Sequence, residues 1–199
     1  MLRLRPGDLV TVADGEGSWR TCTFGPVGRL EPDGDVARVP RPTPALTVAF
    51  ALTKGERPEV AVQKLTELGI DRIVPFPAAR SVARWEGERA ERHVLRLRKV
   101  AHEAAVQARR AWLPEVTSLA TLDDVLGEEG AALADPDGAP PSLDHPTIVV
   151  GPEGGFTSEE RARALSTVAL GSHVLRAETA AMAAGAILAA LRSGLVRPV

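Results

Sequence analysis

The feature that most constrains this chain's fold is a change of hydrophobic period near residue 45. Ala45–Leu52 is a continuous apolar run of strand length, the pattern of a parallel strand buried on both faces. Arg57–Leu68 follows with helical spacing, with Pro58 near its start and Gly69 just past its end. Arg72–Phe76 is a second strand, and Gly87–Arg110 a long helix with Val94, Leu97, Val100 and Ala101 at helical spacing. Ala131–Ala134 and Thr147–Val150 are strands that each end where a polar loop begins. Thr157 and Glu160 have the spacing of a capping box and predict a helix start. Val168–Leu170 or His173–Leu175 supplies a last strand, and Ala177–Ser193 a final helix stopped by Gly194. Strands alternating with helices predict an α/β domain with a mainly parallel sheet over residues 43–199.

Residues 1–42 read differently. Leu9–Val12 and Trp19–Phe24 are short alternating runs separated by the turn signal Asp14-Gly15-Glu16-Gly17, so a small antiparallel β unit is expected. Pro40, Pro42 and Pro44 interrupt regular structure between the two parts.

Bulk properties narrow the function classes. A lone cysteine, Cys22, excludes an internal disulfide and a thiolate zinc cluster, and suits a reducing cytoplasm. No metal-ligand spacing is present, so no metal is expected. The start, MLRLRPGD, lacks the apolar core of a signal peptide, and no run of about 18 uncharged apolar residues predicts a membrane span. A net charge of −2 argues on its face against a nucleic-acid partner. The charge is unevenly spread, however: Arg72–Arg110 holds ten Lys/Arg against four Asp/Glu, about +6, while Asp123–Glu160 is acidic. A local basic face can bind phosphates although the total stays near zero.

Two segments carry candidate chemistry. Val149-Val150-Gly151-Pro152-Glu153-Gly154-Gly155-Phe156 runs from a strand into a glycine loop and then a capped helix, and loops at the carboxyl ends of parallel strands are where α/β sheets bind ligands. It fits neither the dinucleotide fingerprint nor a P-loop, and a tight turn alone would account for its glycines. Leu170–Ala181 again passes from a glycine loop into a helix, with Arg176, Glu178 and Thr179 at the helix start. Glu178 also suits a helix's first turn electrostatically.

The pair GPEGGFTSEE and LGSHVLRAETAA resembles the hallmark of the RsmE family, bacterial methyltransferases acting on N3 of a uridine in small-subunit (16S) ribosomal RNA. Val62–Gly69 resembles the family's QKxxELG. Pro75-Phe76 with Ala79-Arg80-Ser81, and Ala101–Gln107 with Arg110 and Pro114, agree with it in order along residues 45–193. The resemblance implies a SPOUT domain with a deep C-terminal trefoil knot and S-adenosylmethionine as methyl donor. It implies a donor site of Gly151, Pro152, Glu153, Gly154, Gly155, Leu170, Gly171, Val174, Leu175, Arg176, Thr179 and Ala180. It also implies a homodimer through the last helix, and ribosomal RNA or the small subunit as partner. Residues 1–42 would be a PUA-like barrel in contact with RNA. Family members usually carry further residues before Leu-Arg-Leu-Arg-x-Gly-Asp, so the barrel is expected to lack its first strand.

Methyl transfer to uracil N3 requires loss of the N3 proton. Arg176 is the candidate for stabilising the resulting anion, and Glu153 and Glu178 are candidate bases or orienters. Lys64, Arg80, Arg84 and Arg110 are the candidate RNA-facing cations, with burial in an ion pair the competing role for Lys64, Arg80 and Arg110. Two other readings compete. A SPOUT methyltransferase of transfer RNA or another ribosomal site would lack the QKxxELG and ETAA wording, and a non-catalytic RNA-binding module would lack the donor loops.

Overall fold

The computed structural model describes residues 4–197. Three antiparallel strands come first, β1 (Leu9–Ala13), β2 (Ser18–Phe24) and β3 (Leu30–Arg38), paired in the order β1-β2-β3. They are followed by β4 (Thr47–Ala51), α1 (Arg57–Glu67), β5 (Arg72–Phe76), α2 (Gly87–Gln107), β6 (Glu115–Val116) and α3 (Leu122–Leu126). β7 (Ala131–Ala139), β8 (Thr147–Val150), α4 (Ser158–Arg161), β9 (Thr167–Val168) and α5 (Ala177–Arg192) complete the described chain. The second sheet has the order β6-β5-β4-β8-β7-β9, and every pairing in it is parallel.

All five residues of β4 are buried because the strand is central and covered on both faces. Val48 and Phe50 point into one cluster with Val62 and Leu65 of α1, Leu97 of α2 and Leu188 of α5. Their alternates Ala49 and Ala51 join Phe76, Leu133, Phe156 and the α3 residues Leu122, Val125 and Leu126 on the opposite face. Each such aliphatic side chain fully withdrawn from water contributes roughly 1.5–3 kcal/mol, so three layers are held by two separate cores. α5 lies close on α1 because position 185 is glycine: a Cβ there would stand 2.7 Å from Leu65 Cδ2.

The first sheet is a single layer with most side chains exposed. It docks on the segment after α2 through backbone bonds, Gly17 N–H to the Ala111 carbonyl (3.0 Å) and Leu113 N–H to the Gly15 carbonyl (2.9 Å). Trp112 adds an indole N–H donated to the Val39 carbonyl at 3.0 Å and a face covered by Arg41. Gly15 and Gly17 have positive φ and would drive a Cβ into Leu113 and Trp112, so the turn read from sequence is also the docking point.

Several elements depart from expectation. The last strand forms at Thr167–Val168, and His173–Leu175 lies in a loop. β3, β6 and α3 had no counterpart in the sequence reading, and β7 runs five residues past Ala134. The capping box at Thr157 and Glu160 is present, but the helix it starts is one turn long. Among the described residues no helix is long and apolar enough to cross a membrane.

Candidate active site

The carboxyl ends of β7, β8 and β9 and the start of α5 enclose a cleft of about 270 Å³. One wall is the glycine loop after β8, and Phe156 folds that loop back on itself. A Cβ on Gly151 would stand 2.8 Å from the Phe156 ring, which lies parallel to Phe76 with 6.5 Å between centroids. Gly155 has φ +66° with open space beside it, a conformation L side chains rarely adopt. The opposite wall is the loop from Leu170 to Ala177, in which Gly171 is likewise at positive φ with open space around its Cβ position.

Of the residues expected around a donor, Gly151, Pro152, Glu153, Gly155, Leu170, Gly171, Val174, Leu175 and Ala180 line this cleft. Gly154, Arg176 and Thr179 flank it. Gly154 packs against Arg80, Arg176 is the exposed N-cap residue of α5, and Thr179 is exposed on the helix's first turn. Asp135 and Arg161, absent from the sequence reading, form an ion pair of 2.6 Å that lines the cleft, with Asp135 buried and Arg161 exposed. Apolar side chains of Val150, Phe156, Leu170 and Leu175 thus sit beside charged groups in one cleft.

The candidate carboxylates come together through a residue the sequence reading missed. Arg57, at the first position of α1, is ion-paired with Glu153 and lies 3.9 Å from Glu178. Glu178 is largely buried, and its second carboxylate oxygen has no hydrogen-bond partner among the described residues. No local signal marks Arg57, because its partners lie about a hundred residues away.

The four expected RNA-facing cations divide. Arg80 donates to the Gly154 carbonyl at 2.9 Å, and the neighbouring Ala79 N–H donates to Glu160 at 2.7 Å, so this segment holds the glycine loop. Arg110 is turned inward, donating to the Thr66 (2.9 Å) and Ile70 (2.8 Å) carbonyls beside Asp71 and Arg192. Burial, opposed by Asp71, pulls its pKa below the usual arginine value. The expectation of an RNA-facing Arg110 is corrected accordingly: the buried carbonyls of Thr66 and Ile70 at the end of α1 need a donor, and Arg110 supplies it. Lys64 pairs with Glu67 at 2.7 Å on the surface of α1, and Arg84 is exposed.

Comparison with known proteins identifies the family. Residues 40–189 match the RNA methyltransferase domain family. Ribosomal RNA small subunit methyltransferase E of Mycobacterium tuberculosis is 36% identical, over 93% of this chain and 79% of that protein. The structure of ribosomal RNA small subunit methyltransferase E from Neisseria gonorrhoeae bound to S-adenosyl methionine superposes with a TM-score of 0.79 at 28% identity, over 95% of this chain and 86% of that one. A Legionella pneumophila methyltransferase in complex with SAM gives a TM-score of 0.80 at 27% identity, over 94% and 85%. This chain belongs to the RNA methyltransferase family that contains ribosomal RNA small subunit methyltransferase E.

Proposed function

We propose that this chain transfers a methyl group from S-adenosylmethionine to N3 of a uridine in small-subunit ribosomal RNA. The observation that carries the reading is the single cleft formed by both glycine loops at the carboxyl edge of the sheet. Its walls fit the donor: glycine backbone allows close approach, apolar surface suits a flat purine, and the charged groups in the lining suit an amino-acid zwitterion. When bound, the donor supplies an electrophilic methyl group on a sulfonium, so alignment of the two reactants contributes much of the rate.

The chain's own residues would do the rest. Gly151, Gly155 and Gly171 would hold the donor by backbone groups, with Pro152, Leu170, Val174, Leu175 and Ala180 enclosing it and Gly154 and Thr179 shaping the loop ends. Arg176, exposed beside the cleft, would stabilise negative charge on the uracil oxygens as N3 loses its proton. Glu153 or Glu178 would accept or orient that proton. Arg84 and Lys64 are left as cations able to reach RNA phosphates, whereas Arg80 serves the loop.

The wider architecture we infer is a SPOUT domain over residues 43–199 whose C-terminal part is knotted, preceded by a PUA-like unit over residues 1–42. The knot is supported by two features. The crossover from β7 to its parallel neighbour β8 contains no helix, and Gly138, near the end of β7, lies so close to β9 that a Cβ would stand 2.5 Å from Val168 backbone. A homodimer through α5 is supported by Ala186, exposed, and Met182, Ala183 and Ile187, partly exposed, on one apolar side of that helix. The enzyme would work in the cytoplasm, where its ribosomal substrate is assembled. Calorimetric titration with S-adenosylmethionine tests the donor site: one saturable site per chain is expected, and no saturable binding contradicts the reading.

A further inference from the structure

Arg57 stands where helix electrostatics disfavour it. It occupies the first turn of α1, near the positive end of the helix dipole, where an acidic residue would be more stable. The Glu56 N-cap supplies no side-chain hydrogen bond there. The guanidinium finds its compensation elsewhere, in Glu153 of the glycine loop and Glu178 of α5. Glu153 lies in one wall of the cleft, and Glu178 lies in the first turn of α5, next in sequence to Ala177 of the opposite wall. The rest of α1 is fixed independently: Arg192 donates to the Gly69 carbonyl at 2.8 Å, and Arg110 donates to the Thr66 and Ile70 carbonyls at the same end. α1 is therefore anchored to the protein interior at one end and, at the other, to the glycine loop and to the start of α5 that follows the second loop.

Resting on the donor-site reading, we propose that Arg57 is a positioning residue, a strut that sets the spacing of the two donor-binding loops. Glu178 makes the strut consequential. It is 17% exposed, one of its oxygens is buried without a partner, and Arg57 is its ion-pair partner among the described residues. Removing the cation leaves that carboxylate uncompensated and exposes it to repulsion from Glu153, so the walls move apart to let water in. The planar fork of arginine can serve two carboxylates at once, which a lysine ammonium does less well.

The test is calorimetric titration of the full chain with S-adenosylmethionine, alongside thermal melting. Arg57→Met is expected to bind the donor about tenfold more weakly while still fully folded at the titration temperature, its melting temperature lowered by several degrees by the uncompensated Glu178. Arg57→Lys should bind within about threefold of the wild type. In a Glu153→Gln/Glu178→Gln background, Arg57→Met should change affinity less than about twofold, because the charges it joins are gone. Equal donor affinity in Arg57→Met and the wild type overturns the proposal. So does a loss that Arg57→Lys does not relieve, or one that persists undiminished in the double-glutamine background, since either marks a purely structural residue. If the wild-type chain binds no donor, the donor-site reading fails first and this inference falls with it.

Discussion

The Arg80 guanidinium donates to the Gly154 carbonyl at 2.9 Å, tying the segment after β5 to the glycine loop after β8. A cation in the most basic stretch of the chain is thus engaged with backbone. Arg80→Ala is expected to weaken S-adenosylmethionine binding several-fold, since an exposed hydrogen bond of this kind is worth about 1 kcal/mol. The salt dependence of RNA binding, which counts phosphate contacts, should barely change. Calorimetry with the donor and filter binding of RNA at several salt concentrations separate the two roles.

Gly185 is the point of closest approach between α5 and α1. An alanine Cβ there meets the Leu65 side chain at 2.7 Å in a fully buried site. The methyl end of a leucine can yield, and alanine gains about 1 kcal/mol of helix propensity over glycine, so Gly185→Ala should cost only about 1 kcal/mol net. Gly185→Val adds branching against the same wall and should cost about 3 kcal/mol or more. Urea unfolding of both variants checks the ordering.

Much of the α/β core was legible because burial writes a periodic signal. Residues 72–76 form β5 as read, and the apolar run at 45–52 contains the wholly buried β4. β3 was not legible, since Pro32 and Gly34 interrupt it and its side chains are nearly all exposed, leaving no alternation to read. α3 was missed because its capping box closes with Asp124 where a glutamate or glutamine is the usual signal. The cleft's glycines were visible as a local pattern. Arg57, Asp135 and Arg161 were not, because each acquires its role from a partner distant in sequence. Arg110 illustrates the converse: a basic residue in a basic stretch looks exposed until the carbonyls it satisfies are seen.

The α3 cap gives a pH prediction. Asp124 accepts hydrogen bonds from the Thr121 hydroxyl (2.6 Å) and N–H (2.9 Å), and these hold its carboxyl below the usual value of 3.8. The folded value lies below the unfolded one, so the cap's contribution is complete above 3.8 and is lost as pH falls through the folded value. A carboxyl carbon titration by NMR should give a midpoint under 3.8 for Asp124, moving upward in Thr121→Val. An unchanged midpoint would show that the threonine does not cause the shift.

Arg176 caps α5 without a side-chain hydrogen bond, leaving its guanidinium available to substrate. Arg176→Ala is expected to lower kcat by about a hundredfold while donor Kd changes less than about threefold. Single-turnover methylation combined with donor calorimetry distinguishes this from equal losses in both, which would make Arg176 a structural residue.

The most direct test of the account is nucleoside mass spectrometry of small-subunit ribosomal RNA from a strain lacking this gene. One 3-methyluridine should be missing, restored by the wild-type gene and not by Gly155→Val, which would place a branched side chain at a positive-φ position in the donor loop. An undiminished 3-methyluridine content, or a missing methyl mark in transfer RNA instead, would contradict it.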